Sequence, residues 1–171
     1  MEENIVWRIT YGMYVVSSFK DGRLNGQIAN TLFQVASVPK LVAVSVNKAN
    51  LTHEFIEASG RFTAAVLTEA APMTFIGKFG FRSGRETDKF KDTAFKTLGS
   101  GCPAVLDYCY GYLEARVVSR HDCGEHSLFV AEVTGSEKTG DGKPMTYDFY
   151  HEIKKGKTPK AAPTFEGTAG S

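Results

Sequence analysis

Three stretches gather polar side chains where folding alone gives no reason for them. The first is Asn25-Gly26-Gln27-Ile28-Ala29-Asn30-Thr31, where amides, a small residue and a hydroxyl interrupt an otherwise strand-like run. Amide side chains carry donors and acceptors without net charge, which suits them to reading the edge of a planar heterocycle. The second is Ser45-Val46-Asn47-Lys48 running into Asn50-Leu51-Thr52. A strand end feeding a helix N-terminus offers free N–H groups and a positive dipole end, and Lys48 with the two hydroxyls would complete a phosphate cradle. The third is Phe81-Arg82-Ser83-Gly84-Arg85, with Lys89 four residues beyond Arg85. A Gly turn between Ser and Arg can hold phosphate through backbone N–H groups and a bidentate guanidinium.

Each stretch also has an ordinary explanation. Asn25-Gly26 is a turn signal, though that leaves Gln27 and Asn30 unexplained. Asn50 is a common helix cap. Arg85 and Lys89 can pair with Glu86 and Asp88 on a solvated loop. Taken singly the two readings of each stretch are equal; two phosphate-like sites converging with an amide-rich strand favour a bound nucleotide-like group.

Cys123-Gly124-Glu125-His126 places a thiol and an imidazole at zinc-ligand spacing. A tetrahedral site needs two more ligands, and Cys102 and Cys109 lie too far apart in sequence to supply the usual close pair, so no metal is expected. A Cys–His nucleophile pair lacks a third group to orient the imidazole. A hairpin turn at Gly124 between two strand-like runs is the reading adopted.

The elements that must position these groups are mostly strands. Strand patterns cover 13–19, 27–36, 41–47, 61–68, 104–119 and 127–134, the last two joined through 122–125. In the third, Val42, Val44 and Val46 share one face while Ala43, Ser45 and Asn47 share the other, so one face packs and the other offers polar groups. The strand over 104–119 puts Tyr108, Tyr110 and Tyr112 on one face. One helix starts after Asn50, carries Leu51, Phe55 and Ala58 and ends at Gly60; another has Pro72 in its first turn, carries Met73, Ile76 and Phe79 and stops at Gly80. Six or so strands with two helices predict a mainly β fold, a closed antiparallel barrel with peripheral helices.

Composition narrows the function classes. The chain has 171 residues, 20 Lys plus Arg against 19 Asp plus Glu, and a formal net charge of +1, which gives no field to attract nucleic acid or an anionic membrane. No window reaches the length of a membrane span, and residues 1–4 lack the basic start of a signal peptide. Three cysteines suit free thiols in a reducing compartment, so a cytoplasmic location is expected. One domain is expected over 1–153, followed by a basic, Pro- and Gly-containing arm or linker over 154–171 that would reach a partner subunit.

Across these residues the chain resembles the flavin reductase-like family with the FMN-binding split β-barrel, and is especially similar to the flavin domain of high-molecular-weight rubredoxins and flavoredoxins. The likeness runs through Tyr11-Gly12-Met13-Tyr14-Val15-Val16-Ser17-Ser18, the three stretches above with Asp88-Lys89-Phe90, then Gly124 to Val133, and Pro144-Met145-Thr146-Tyr147. It implies a homodimer with one FMN per subunit. The ring would lie along Gln27, Ala29, Asn30 and Thr31, beside Ser45 and Val46. Asn47, Lys48, Thr52, Ser83, Gly84, Arg85 and Lys89 would serve the phosphate and ribityl chain, and Asn25 belongs to the same set. His126 resembles a histidine that orients the nicotinamide of NAD(P)H; its ordinary explanation is a polar residue at a hairpin end. The chain lacks the paired Cys-x-x-Cys motifs of a rubredoxin domain, so a rubredoxin acceptor would be a separate molecule. The implied function is electron transfer from NAD(P)H through FMN to a rubredoxin, free flavin or ferric iron. The alternative is an FMN-binding electron carrier reduced by another protein.

Overall fold

A computed structural model describes residues 5–165. After a short 3-10 turn, Ile5–Arg8, the chain runs through β1 (Tyr14–Lys20), β2 (Arg23–Ala29), β3 (Leu32–Ser37), β4 (Lys40–Asn47), α1 (Leu51–Ser59), β5 (Arg61–Leu67) and α2 (Met73–Gly80). It continues with β6 (Phe95–Thr97), β7 (Pro103–Val105), β8 (Cys109–Cys123), β9 (His126–Lys138) and α3 (Tyr147–Glu152). Seven strands form one antiparallel sheet in the order β2-β1-β5-β8-β9-β4-β3, and β6 and β7 form a separate hairpin.

The sheet is rolled because of one short link. Six inter-strand spacings would put the edges of a flat seven-stranded sheet about 29 Å apart. The step from the end of β2 to the start of β3 is three residues, a reach of about 10 Å. The edges must therefore meet at that corner, where the Ser45 N–H donates to the Thr31 carbonyl at 3.2 Å. The ring is nevertheless not closed, which corrects the expectation of a closed barrel: among the described residues β2 and β3 share no ladder. Asn30 and Thr31 also divide what the sequence pattern predicts as one strand over 27–36, sending its halves to opposite edges.

Rolling gives the sheet two apolar faces. Inside, Val16, Val44, Val46, Ile56, Phe62, Ala64 and Phe129 pack together. Outside, Val15, Ala65, Leu67, Ile76, Phe79 and Tyr150 belong to a second cluster under α2, α3 and the small hairpin. Consecutive residues of β1 and β5 therefore point into different cores, as strands covered on both sides must. The expected alternation in β4 holds, with Val42, Val44 and Val46 in the inner core.

Both predicted helices form, with shifted details. Gly60 ends α1 at φ 66°, its N–H bonded to the Ile56 carbonyl at 2.8 Å, a left-handed cap that favours Gly. Ala58 is exposed and Ile56 takes its place in the core, while Asn50 precedes α1 without a side-chain capping bond. Pro72 stands at the cap of α2 and not inside its first turn; Phe75 is buried and Met73 is exposed. The strand expected over 104–119 is broken at 106–108, where Tyr108 takes φ 56° and the Asp107 carboxylate accepts the Ala94 N–H at 2.8 Å. Its first part joins the small hairpin, and Tyr112 is buried while Tyr108 and Tyr110 are exposed. The short α3 has no counterpart in the sequence reading; the Thr146 hydroxyl caps it, accepting the Phe149 N–H at 3.1 Å.

Candidate functional site

A cleft of ≈520 Å³ opens where the end of β2, the polar face of β4, the N-terminus of α1 and the loop after α2 converge, roofed by residues 157–165. That volume lies within the usual range for small-molecule sites. Its floor is apolar, with Ile28, Ala29, Ile76 and Phe79, and its polar groups come from all three stretches singled out in the sequence. Asn25, Gln27 and Asn30 line it from the first, Ser45, Asn47 and Thr52 from the second, and Ser83, Gly84 and Lys89 from the third.

The polar groups fall into two sets. Gln27 Oε1 and Asn30 Oδ1 are buried acceptors without a hydrogen-bond partner. A buried oxygen left unpaired costs about 1–3 kcal/mol, so two of them on one cleft call for a ligand that brings hydrogen-bond donors. The second set is cationic. Lys89 is only 4% exposed, and its Nζ donates to the Gly26 carbonyl at 2.9 Å and to the Phe79 carbonyl at 3.1 Å. Both partners are neutral, and burial pushes the ammonium down to about 8. Arg82 and the first residues of α1 line the same cleft, so an anion there meets a buried ammonium, a guanidinium and a helix N-terminus together. An apolar floor, hydrogen-bond acceptors and an anion pocket fit a planar heterocycle carrying a phosphate.

Local packing fixes this arrangement. Asn25 Nδ2 donates to Thr52 Oγ1 at 2.8 Å, tying β2 to α1, and Asn47 Oδ1 accepts the Ala49 N–H at 2.9 Å, turning β4 into that helix. Gly84 lies so close that a Cβ there would overlap the Asn25 amide and crowd Leu51. Gly84→Ala is therefore expected to lower stability by about 1–3 kcal/mol, through overpacking and loss of the Asn25–Thr52 bond, and to weaken ligand binding. Urea unfolding checks this; an unchanged midpoint would contradict the packing described.

Five sequence-predicted residues do not reach the cleft wall. Lys48 extends to Asp122, 2.6 Å away, on the β8–β9 hairpin. Arg85 turns to Glu54 at 3.4 Å and faces a separate groove with Arg23 and Lys91. Glu54 also takes Lys20 at 2.6 Å, which with Arg85 holds its carboxyl below the usual range. Val46 points into the inner core. Thr31 stands behind the wall, its hydroxyl 3.4 Å from the Ser45 carbonyl. His126 is buried nearby; its Nε2–H donates to the Ala161 carbonyl at 3.3 Å, and Ala161 lines the cleft.

The turn at Gly124 forms as expected, with φ 72°, and registers Cys123 opposite His126. Cys123 is exposed; Cys102 and Cys109 are buried, which pushes their thiols up to about 11 and about 12.

The sequence reading missed Tyr147 and Tyr150 of α3 and the roof over 157–165. Tyr147 was visible only as the end of the family-like segments. Residues 157–165 of the tail, expected as an arm or linker that would reach a partner subunit, cover the cleft of their own chain; the expectation for residues 167–171 lies outside the described residues.

The model of the flavin reductase like domain matches residues 6–154. The chain is 47% identical over 165 residues to a high molecular weight rubredoxin of Moorella thermoacetica, covering 96% of this chain and 72% of that one. It is 44% identical over 165 residues to a ferric-chelate reductase (NAD(P)H) of Archaeoglobus fulgidus, covering 96% and 98%. An FMN-binding protein from Thermus thermophilus superposes with a TM-score of 0.70 at 25% identity, over 76% of this chain and 73% of that one. The chain belongs to the flavin reductase-like family of oxidoreductases.

Proposed function

We propose that this chain is an FMN-dependent oxidoreductase that passes electrons from NAD(P)H to a rubredoxin, free flavin or ferric iron. The observation that carries this reading is the coincidence, in one cleft, of two unpartnered amide oxygens with a buried lysine. Gln27 would accept from the ring N–H and Asn30 from a ribityl hydroxyl, with Ala29 and Ser45 alongside the ring. Lys89, Ser83, the N–H groups around Gly84 and the start of α1 at Thr52 would hold the phosphate and ribityl chain. When bound, FMN supplies hydride acceptance and one- or two-electron transfer. The chain's task is to bind, orient and shield it. His126 would orient the nicotinamide by exchanging its bond to the Ala161 carbonyl for one to the donor.

Two further parts of the reading rest on separate observations. A homodimer is supported by exposed apolar side chains on the 3-10 turn and on edge strand β3: Trp7 is 52% exposed, Phe33 54% and Val35 49%. A second copy would cover them. Three free thiols support the cytoplasm. Among the described residues no helix is long and apolar enough to cross a membrane.

A carrier reduced by another protein is the second reading. It is favoured by the roof over 157–165, which covers the cleft and would have to move before a nicotinamide could stack on the ring. Anaerobic mixing of the FMN-loaded protein with NADH and with NADPH separates the two. Rapid bleaching of the flavin absorbance is expected; no bleaching with either nucleotide overturns the reductase in favour of the carrier.

A further inference from the structure

The segment after α3 is neither helix nor strand, yet it is tied down along its length. The Tyr150 hydroxyl donates to the Lys157 carbonyl at 2.8 Å, and the His151 Nδ1–H to the Gly156 carbonyl at 2.9 Å. The Tyr147 hydroxyl meets Thr158 Oγ1 at 2.7 Å, and Thr164 Oγ1 donates to it from the far end at 3.3 Å. Within the segment, the Ala162 N–H bonds to the Pro159 carbonyl at 3.0 Å and the Phe165 N–H to the Ala162 carbonyl at 3.1 Å, so it carries its own turns.

Two of its anchors are residues of the cleft region itself. Asn30 Nδ2 donates to Thr164 Oγ1 at 2.9 Å, and His126 is bonded to the Ala161 carbonyl. Pro159, Ala161, Ala162 and Pro163 line the cleft, an apolar surface whose prolines have little backbone freedom to lose on ordering. The cleft nevertheless keeps ≈520 Å³ beneath the segment. A segment that competed for the site would fill it; this one covers it and leaves ligand-sized space.

We propose that residues 157–165 are a strap that retains FMN, making it a resident group and not a substrate exchanged at each turnover. This rests on the FMN reading above and adds the residues that set its release. Thr158 and Thr164 are the positioning residues: their hydroxyls hold the strap to Tyr147 and Asn30. Release of FMN requires these bonds to open together, and entry of any donor that stacks on the ring requires the same movement.

The test follows FMN release from the full-length protein by the recovery of flavin fluorescence in the presence of an excess FMN scavenger. The T158V/T164V variant is compared with the parent. Loss of the strap's hydroxyl bonds is expected to speed release about tenfold or more while leaving the absorbance of the bound flavin unchanged. A second measurement needs no variant. Lys157 and Lys160 are exposed on the strap, so FMN loading is expected to slow tryptic cleavage after them at least tenfold, with cleavage after Lys138 unaffected. Unchanged release in the variant, or cleavage at the strap indifferent to FMN, overturns the strap. A parent protein that takes up no FMN overturns the strap together with the reading beneath it.

Discussion

Replacing Lys89 with Met is expected to weaken FMN binding by 30- to 100-fold while changing riboflavin binding little. Hydrogen bonds to charged groups contribute about 1.5–3 kcal/mol, and a buried ammonium facing a phosphate stands at the upper end of that range. Riboflavin has the same ring without the phosphate, so the comparison assigns the loss to the anion pocket. A pH profile tests the same group. Burial lowers the Lys89 ammonium to about 8, so above that pH it must take up a proton to meet the phosphate. FMN affinity should fall by up to tenfold per pH unit as pH rises beyond about 8, and the Met variant should lose this dependence. The apoprotein behaves in the opposite sense. The folded-state value lies below the ordinary 10.5, so the unfolded chain binds more protons between about 8 and 10.5, and Lys89 contributes a rise in stability across that window. Fluorescence titration of FMN and riboflavin between pH 7 and 9 checks both arms; equal losses for the two ligands would place the phosphate elsewhere.

Gln27→Leu is expected to move stability and affinity in opposite directions. The buried Gln27 Oε1 has no partner within the protein, so in the apoprotein replacing the amide relieves a desolvation cost and should stabilise the fold by up to about 1 kcal/mol. With flavin bound, the same change deprives a ring N–H of its acceptor and should cost at least tenfold in affinity. A scaffolding residue gives losses in both measurements; a residue kept for a ligand gives this crossed pattern. Thermal unfolding of the apoprotein and FMN titration are the two readouts. A destabilised apoprotein with unchanged FMN affinity would remove Gln27 from the site.

What the sequence made legible follows from which interactions are local. The alternation through 41–47 predicted Val42, Val44 and Val46 inward with Ser45 and Asn47 on the polar face, because a strand's two faces are decided by neighbours one residue away. Gly60 was readable as a helix stop because a left-handed residue ends the helix within its own turn. The break at Asn30 was not, since β-type residues flank it on both sides and only the meeting of the two sheet edges turns the chain there.

Charges were the least legible of all. Lys48 and Arg85 read as phosphate ligands from their neighbours in sequence, yet Lys48 is taken by Asp122 and Arg85 by Glu54, residues 74 and 31 positions away. Lys89, which the sequence offers both as a phosphate ligand and as a solvated loop charge, lines the cleft, but its burial against the carbonyls of Gly26 and Phe79 comes from two different elements. The basic tail reads as an arm from composition; the hydroxyls of Tyr147 and Tyr150 decide its path, and nothing in the tail itself announces them.

The cleft's resident group is best tested by the absorbance spectrum of the purified protein, followed by heat release of any chromophore and titration of the stripped protein with FMN and riboflavin. Bands near about 375 and 450 nm, a released phosphorylated flavin, and FMN bound far more tightly than riboflavin are the expected results. A colourless protein that takes up neither added flavin would contradict the reading of the cleft as an FMN site.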